Sequence, residues 1–177
     1  MANTPWDTTF YLDVDMEILH ADIAKVFDEI GDADMKFCAL EEKHWHIFMG
    51  GKFPGGQFDI CGAVCLYRKS DLVMEFMQEW YDLYVAQKNK TWWPLDDKGD
   101  FDYEKYPRDL AHWDQFPLWW LVHKEPKYKS LIVEFFEDTL KWNHWAMLDR
   151  VNFPLKEDTV LLHMSALATK NLHEIDL

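Results

Sequence analysis

Phe10-Tyr11-Leu12-Asp13-Val14-Asp15-Met16-Glu17-Ile18-Leu19 is an apolar run broken by two aspartates, and its reading decides the fold. Aromatic and aliphatic residues around Tyr11-Leu12 suit a strand buried on both faces, which rarely carries a carboxylate in its hydrophobic part. The aspartates are therefore expected at its carboxyl end. Side chains alternate along a strand, so Asp13 and Asp15 are expected to point the same way while Val14 points into the packing. Two carboxylates on one lip of a sheet repel each other unless the site is wet or a cation lies between them. The pair is thus a cradle for Mg2+ or Mn2+, with water and a phosphate completing the ligand set. The competing reading is that both are ordinary residues of a strand end and turn, where aspartate is common.

Moving outward, the chain of 177 residues is long enough for a sizeable core and is expected to form one domain over residues 1–177. Hydrophobic residues make up 49%, with 10 Trp, so disorder is excluded as a general state. A formal charge of −14 argues against nucleic acid and against an anionic membrane surface as partners. It also makes a phosphate-bearing ligand hard to hold without a cation. Neither a membrane span nor a signal peptide is read, and the cytoplasm is the expected location. Cys38, Cys61 and Cys65 make a poor disulfide framework and a poor zinc site, and are expected to be buried thiols.

After the opening stretch, Ile23, Val26, Phe27 and Ile30 have helical spacing and Gly31 ends that helix. Met35–Leu40 reads as a second strand. Residues 41–56 hold His44, His46 and four of the seven glycines, and read as a loop able to lie over a site. Their Gly50-Gly51-Lys52 lacks the spacing of a phosphate-binding P-loop. A strand is expected over 58–68 with Gly62 inside it, which calls for a bulge or a close approach by another group. Ser70 is placed to cap a long helix through about Gln87, its aromatic stripe facing the core. Asp114 can cap a further helix with Pro117 in its first turn. Residues 130–136 read as a strand, 140–145 as a polar aromatic turn, and 159–166 as a strand carrying His163. The order favours an α/β arrangement with a mixed sheet flanked by helices.

Five landmarks stand in order: Asp13-Val14-Asp15 after Tyr11-Leu12; Gly62-Ala63-Val64 with Leu66-Tyr67-Arg68-Lys69-Ser70; Asp114-Gln115; Trp142-Asn143; and Leu162-His163-Met164-Ser165. Together they resemble the nucleotide-diphospho-sugar transferases, glycosyltransferases of the A-type fold with an Asp-x-Asp motif, most closely the retaining galactosyltransferase and glycogenin-like branch. The resemblance spans nearly the whole chain. It implies a metal-dependent transfer of sugar from a UDP- or GDP-sugar to an acceptor, with Mn2+ or Mg2+ held by Asp13, Asp15 and His163. It further implies that Asp114 and Gln115 lie beside the anomeric carbon, that Gly62, Trp142 and Asn143 belong to the sugar and acceptor pocket wall, and that Lys170 is the candidate for phosphate contact.

The chain also departs from the family. The usual His-x-x-Gly is His163-Met164-Ser165-Ala166, and the Lys-Pro-Trp that often follows is Lys170-Asn171-Leu172. Ile60 or Cys61 replaces the polar residue usually found before the glycine of the middle strand. The family's nucleotide-binding half precedes its Asp-x-Asp strand, whereas only a short segment precedes Phe10 here. A truncated A-type fold is therefore expected, completed by a second chain or a homo-oligomer. The alternative function is an inactive, glycosyltransferase-derived binding or assembly module.

Overall fold

A computed structural model describes residues 3–40, 59–92, 98, 102, 114–146 and 153–164. The architecture is α/β, with two sheets flanked by helices. The larger sheet runs β1 (Thr8–Leu12), β4 (Asp59–Arg68), β3 (Met35–Leu40), β5 (Val133–Phe135). β4 pairs antiparallel with both β1 and β3, and β5 runs parallel to β3. The smaller sheet is β2 (Met16–Ile18), β7 (Leu161–His163), β6 (His144–Trp145), antiparallel then parallel.

Period-two alternation sorts the larger sheet into two cores. Met35, Phe37, Cys65 and Tyr67 pack against helix α1 (Asp71–Lys88) through Val73, Phe76, Met77 and Trp80, and against α2 (Gln115–His123) through Leu118 and Leu121. On the other face Cys38, Val64 and Leu66 meet Val26 and Ile30 of a 3-10 helix, with Trp142, Trp145 and Leu161. Both faces are covered, which is why these strands read as nearly continuous apolar runs. All three cysteines are buried thiols.

Local signals explain most boundaries. Ser70 Oγ accepts from Val73 N at 3.2 Å and starts α1. The segment Ala21–Ile30 is a 3-10 helix capped by His20, whose Nδ1 accepts from Asp22 N, and it stops at Gly31, whose φ of +52° suits a residue without Cβ. β5 and β7 are shorter than the runs 130–136 and 159–166. Within the polar aromatic turn, a one-turn helix α3 (Thr139–Trp142) precedes β6.

The expected inward Val14 is corrected: this side chain is fully exposed. β1 stops at Leu12, and Met16 N bonds back to Asp13 O at 3.3 Å, so residues 13–15 form a turn to which strand alternation does not apply. Val14 is the tip of that turn, and the half-buried aspartates flank it.

Asp138 fastens α3. Its Oδ1 accepts from Lys141 N at 3.2 Å and its Oδ2 accepts from Lys156 Nζ at 2.9 Å. Burial pushes its acidity the unfavourable way, but the Lys156 ammonium and the α3 backbone N–H groups outweigh it and hold the carboxyl below its ordinary range. A depressed folded value means stability that is full above the unfolded carboxylate value of about 3.9 and lost as pH falls through the folded one. Asp138→Asn keeps a capping acceptor and removes the charge. Urea denaturation should show the variant less stable by about 0.5–1 kcal/mol above about pH 5, as for a solvent-exposed pair, with the gap closing as pH drops below about 3.9. A gap independent of pH would remove the ion pair from this account.

Candidate metal and donor site at the sheet junction

The junction of the two sheets brings together residues from both ends of the chain. The β1–β4 ladder continues one bond past Leu12, Asp13 N donating to Ala63 O at 3.0 Å, and the chain then turns into β2. β2 pairs with β7 so that Met16 lies opposite His163, and Met164 N donates to Asp15 O at 2.8 Å. The consequence is a side-chain approach: His163 Nε2 lies 3.6 Å from Asp15 Oδ2. His163 is 12% exposed and Asp15 35%, so the pair sits at a wet margin with the ring on the dry side.

Burial lowers the basicity of His163, and the charges of Asp15 and Asp13 and a side-chain hydrogen bond with Asp15 only partly offset this. The imidazole is therefore neutral at pH 7. Its Nδ1 lies 3.1 Å from Asn143 Oδ1. With Asn143 Oδ1 as the acceptor, Nδ1 carries the proton, and in a neutral ring Nε2 then presents a lone pair towards the Asp15 carboxylate. Two electron-pair donors at that separation are matched to a shared cation. Asp13 is tied differently, its Oδ1 accepting from the Tyr11 hydroxyl at 2.7 Å. Burial and this carboxylate push the Tyr11 hydroxyl well above the usual phenol range, so it remains a donor. Among the described residues no three His, Cys, Asp or Glu are grouped so as to hold an ion. Asp15 and His163 supply two adjacent donors, a set that fits a hard cation completed by water and phosphate.

Asp114 belongs to the same neighbourhood. Burial pushes its carboxyl acidity down, raising its pKa, and the charge of Asp13 adds to this, while backbone N–H groups and Lys88 pull the other way. It occupies the N-cap position of α2, but its side chain makes no capping bond, so the expected cap is corrected. What fixes Asp114 is its carbonyl, which accepts from Trp80 Nε1 at 2.8 Å. Gln115 follows at the first helical position, half-buried.

Gly62 and Trp142 are both buried. Trp142 is 1% exposed, edge-on to Phe10 and tilted against Phe136 in the core. Gly62 is buried under Trp80, where a Cβ would come within 2.8 Å of the indole. Both compensations expected of a strand glycine occur, because the β3–β4 register also shifts there, from Phe37↔Cys65 to Cys38↔Cys61. Asn143 is fully buried and touches the site through His163. His44, His46 and Lys170 lie outside the described residues.

The sequence assigns Tyr11, Trp80 and Cys61 no role at the site. Tyr11 stands only two residues before Asp13, and that nearness in sequence is the one available signal. Trp80 reaches Asp114 across 34 positions and Cys61 reaches Asn143 across 82, distances at which sequence carries no such signal. In comparisons with known proteins, no family model, curated protein or solved structure matches this chain. Among the described residues no helix is long and apolar enough to cross a membrane.

The fit of Gly62 to Trp80 is open to measurement. Gly62→Ala should cost about 1–3 kcal/mol in denaturant unfolding, the range for overpacking a filled core. In a Trp80→Phe background the smaller ring should relieve much of that cost, giving a coupling of about 1 kcal/mol in the double-mutant cycle. Additive losses would show that the indole is not what excludes a side chain at position 62.

Proposed function

We propose that this chain is a divalent-metal-dependent glycosyltransferase of truncated A-type fold, acting on a nucleoside-diphosphate sugar and an acceptor. The observation that carries the reading is the approach of His163 Nε2 to Asp15 Oδ2 at 3.6 Å, with the charge of Asp13 also felt at the ring. It supports the proposal because residues 15 and 163 meet only through the fold, and because the resemblance ties these same residues to one ion.

In this reading Asp15 and His163 hold Mn2+ or Mg2+, and Asp13 joins them through its carboxylate or through water. When bound, the cation supplies Lewis-acid stabilisation of the charge that builds on the leaving diphosphate. It also lets a chain of net charge −14 accept an anionic donor. Asp114 and Gln115, fixed at the start of α2 by Trp80, steer the donor sugar or stabilise developing positive charge at its anomeric carbon. The raised pKa of Asp114 favours the second role less strongly than a fully ionised carboxylate would.

Calorimetric titration with UDP or GDP, with and without Mn2+, tests this directly. Nucleotide binding should require the metal, and Asp15→Asn should weaken it at least tenfold, which is about 1.4 kcal/mol. Asp13→Asn should also weaken it. Absence of metal-dependent nucleotide binding by the folded chain would overturn the enzyme reading in favour of a glycosyltransferase-derived binding or assembly module.

A further inference from the structure

A buried polar chain runs from the middle of the larger sheet to the rim of the smaller one. Cys61 is in β4, one position before Gly62, and is 4% exposed. Asn143 follows α3 and is fully buried, its backbone N–H donating to Thr139 O at 2.8 Å. The side-chain amide of Asn143 is used at both ends. Nδ2 donates to Cys61 Sγ at 3.1 Å, and Oδ1 faces His163 Nδ1 at 3.1 Å.

The two ends of an amide are not interchangeable. In the orientation observed the thiol sulfur takes up an N–H of Nδ2, which leaves Oδ1 for the ring, and an acceptor facing Nδ1 requires the proton there. Were the amide reversed, its NH2 would meet Nδ1, the ring proton would move to Nε2, and the lone pair would be turned away from Asp15. Outer partners of ligating histidines act in this way, setting tautomer and ring orientation.

We infer that Cys61 and Asn143 are positioning residues that lock His163 in the Nδ1–H tautomer and so aim its Nε2 lone pair at Asp15. The assignment gives a buried thiol a part in the site and moves Asn143 from a sugar contact to a residue acting through His163. Its consequence for metal binding rests on the function proposed above, but the tautomer lock itself does not.

The experiment therefore has two readouts on the full chain. Long-range proton–nitrogen NMR correlation of the His163 ring at neutral pH reports the tautomer without any metal. Wild type should show Nδ1–H, and Asn143→Ala should show a tautomer mixture. Cys61→Ala should also show a mixture, whereas Cys61→Ser, nearly equal to alanine in volume but retaining an acceptor, should keep Nδ1–H. Because only the acceptor separates those two, their difference survives even if Asn143→Ala fails to fold. Mn2+ binding, read from the free-ion electron paramagnetic resonance signal, should weaken about 10–100-fold in Cys61→Ala and Asn143→Ala and much less in Cys61→Ser. Nε2–H in wild type, or the same tautomer in Cys61→Ala and wild type, would overturn the inference. Wild type that keeps Nδ1–H yet binds no Mn2+ would overturn the metal-dependent reading and leave the lock standing.

Discussion

The site depends on the register of two three-residue strands. β2 and β7 pair with Met16 opposite His163, bracketed by bonds from Leu19 N to Val160 O and from Met164 N to Asp15 O. A slip of one residue would turn the His163 side chain to the opposite face and end its approach to Asp15. So short a ladder cannot hold its register by its own hydrogen bonds. Packing holds it: Val160, Leu161 and Leu162 are all buried, and the parallel neighbour β6 matches Trp145 to His163. Burial of three consecutive aliphatic residues therefore fixes where an imidazole is presented.

The second constraint comes from the helical layer. β4 gives up its side chain at Gly62 so that the Trp80 indole can lie against the strand, and the same indole donates to the carbonyl of Asp114. The start of α2 is thereby referenced to the central strand rather than left to a capping bond. On the opposite face, the next-door residue Cys61 takes the Asn143 amide. Adjacent positions of one strand thus set the two sides of the site, one through α1 and the other through the turn after α3.

Much of the fold was legible because the physics involved is local. Apolar runs mark β1, β3 and β4, helical spacing with Ser70 marks α1, and the rarity of carboxylates inside a doubly covered strand puts Asp13 just past the end of β1. The misreadings came where a local rule was carried past its element. Alternation was extended through Val14, where the chain had already turned. The resemblance assigns Trp142 to a wall, whereas its ring packs in the core with Phe10 and Phe136, and its equally buried neighbour Asn143 meets His163. The association of His163 with the aspartates was legible only through the ordered resemblance, since no periodicity connects residues so far apart. The contacts of Trp80 and Cys61 had no sequence signal, because a tertiary hydrogen bond to a carbonyl or a thiol leaves none.

The polarity of the interior bears on why this arrangement exists. Asn143 and His144 are fully buried, and Thr139 and Thr159 nearly so, all in or next to α3, β6 and β7. Burying an amide or an imidazole costs free energy even when it is hydrogen-bonded, and apolar residues of similar volume would pack the same space at lower cost. His144 has a local structural use, its Nε2 lying 3.2 Å from Phe153 O. Asn143 has no such local use, because both ends of its amide reach other elements, the thiol of β4 and the imidazole of β7. An amide that joins two elements by opposite ends fixes orientation more than it fixes packing. A core needs no particular tautomer at its rim, whereas a site that presents an imidazole lone pair to a carboxylate does.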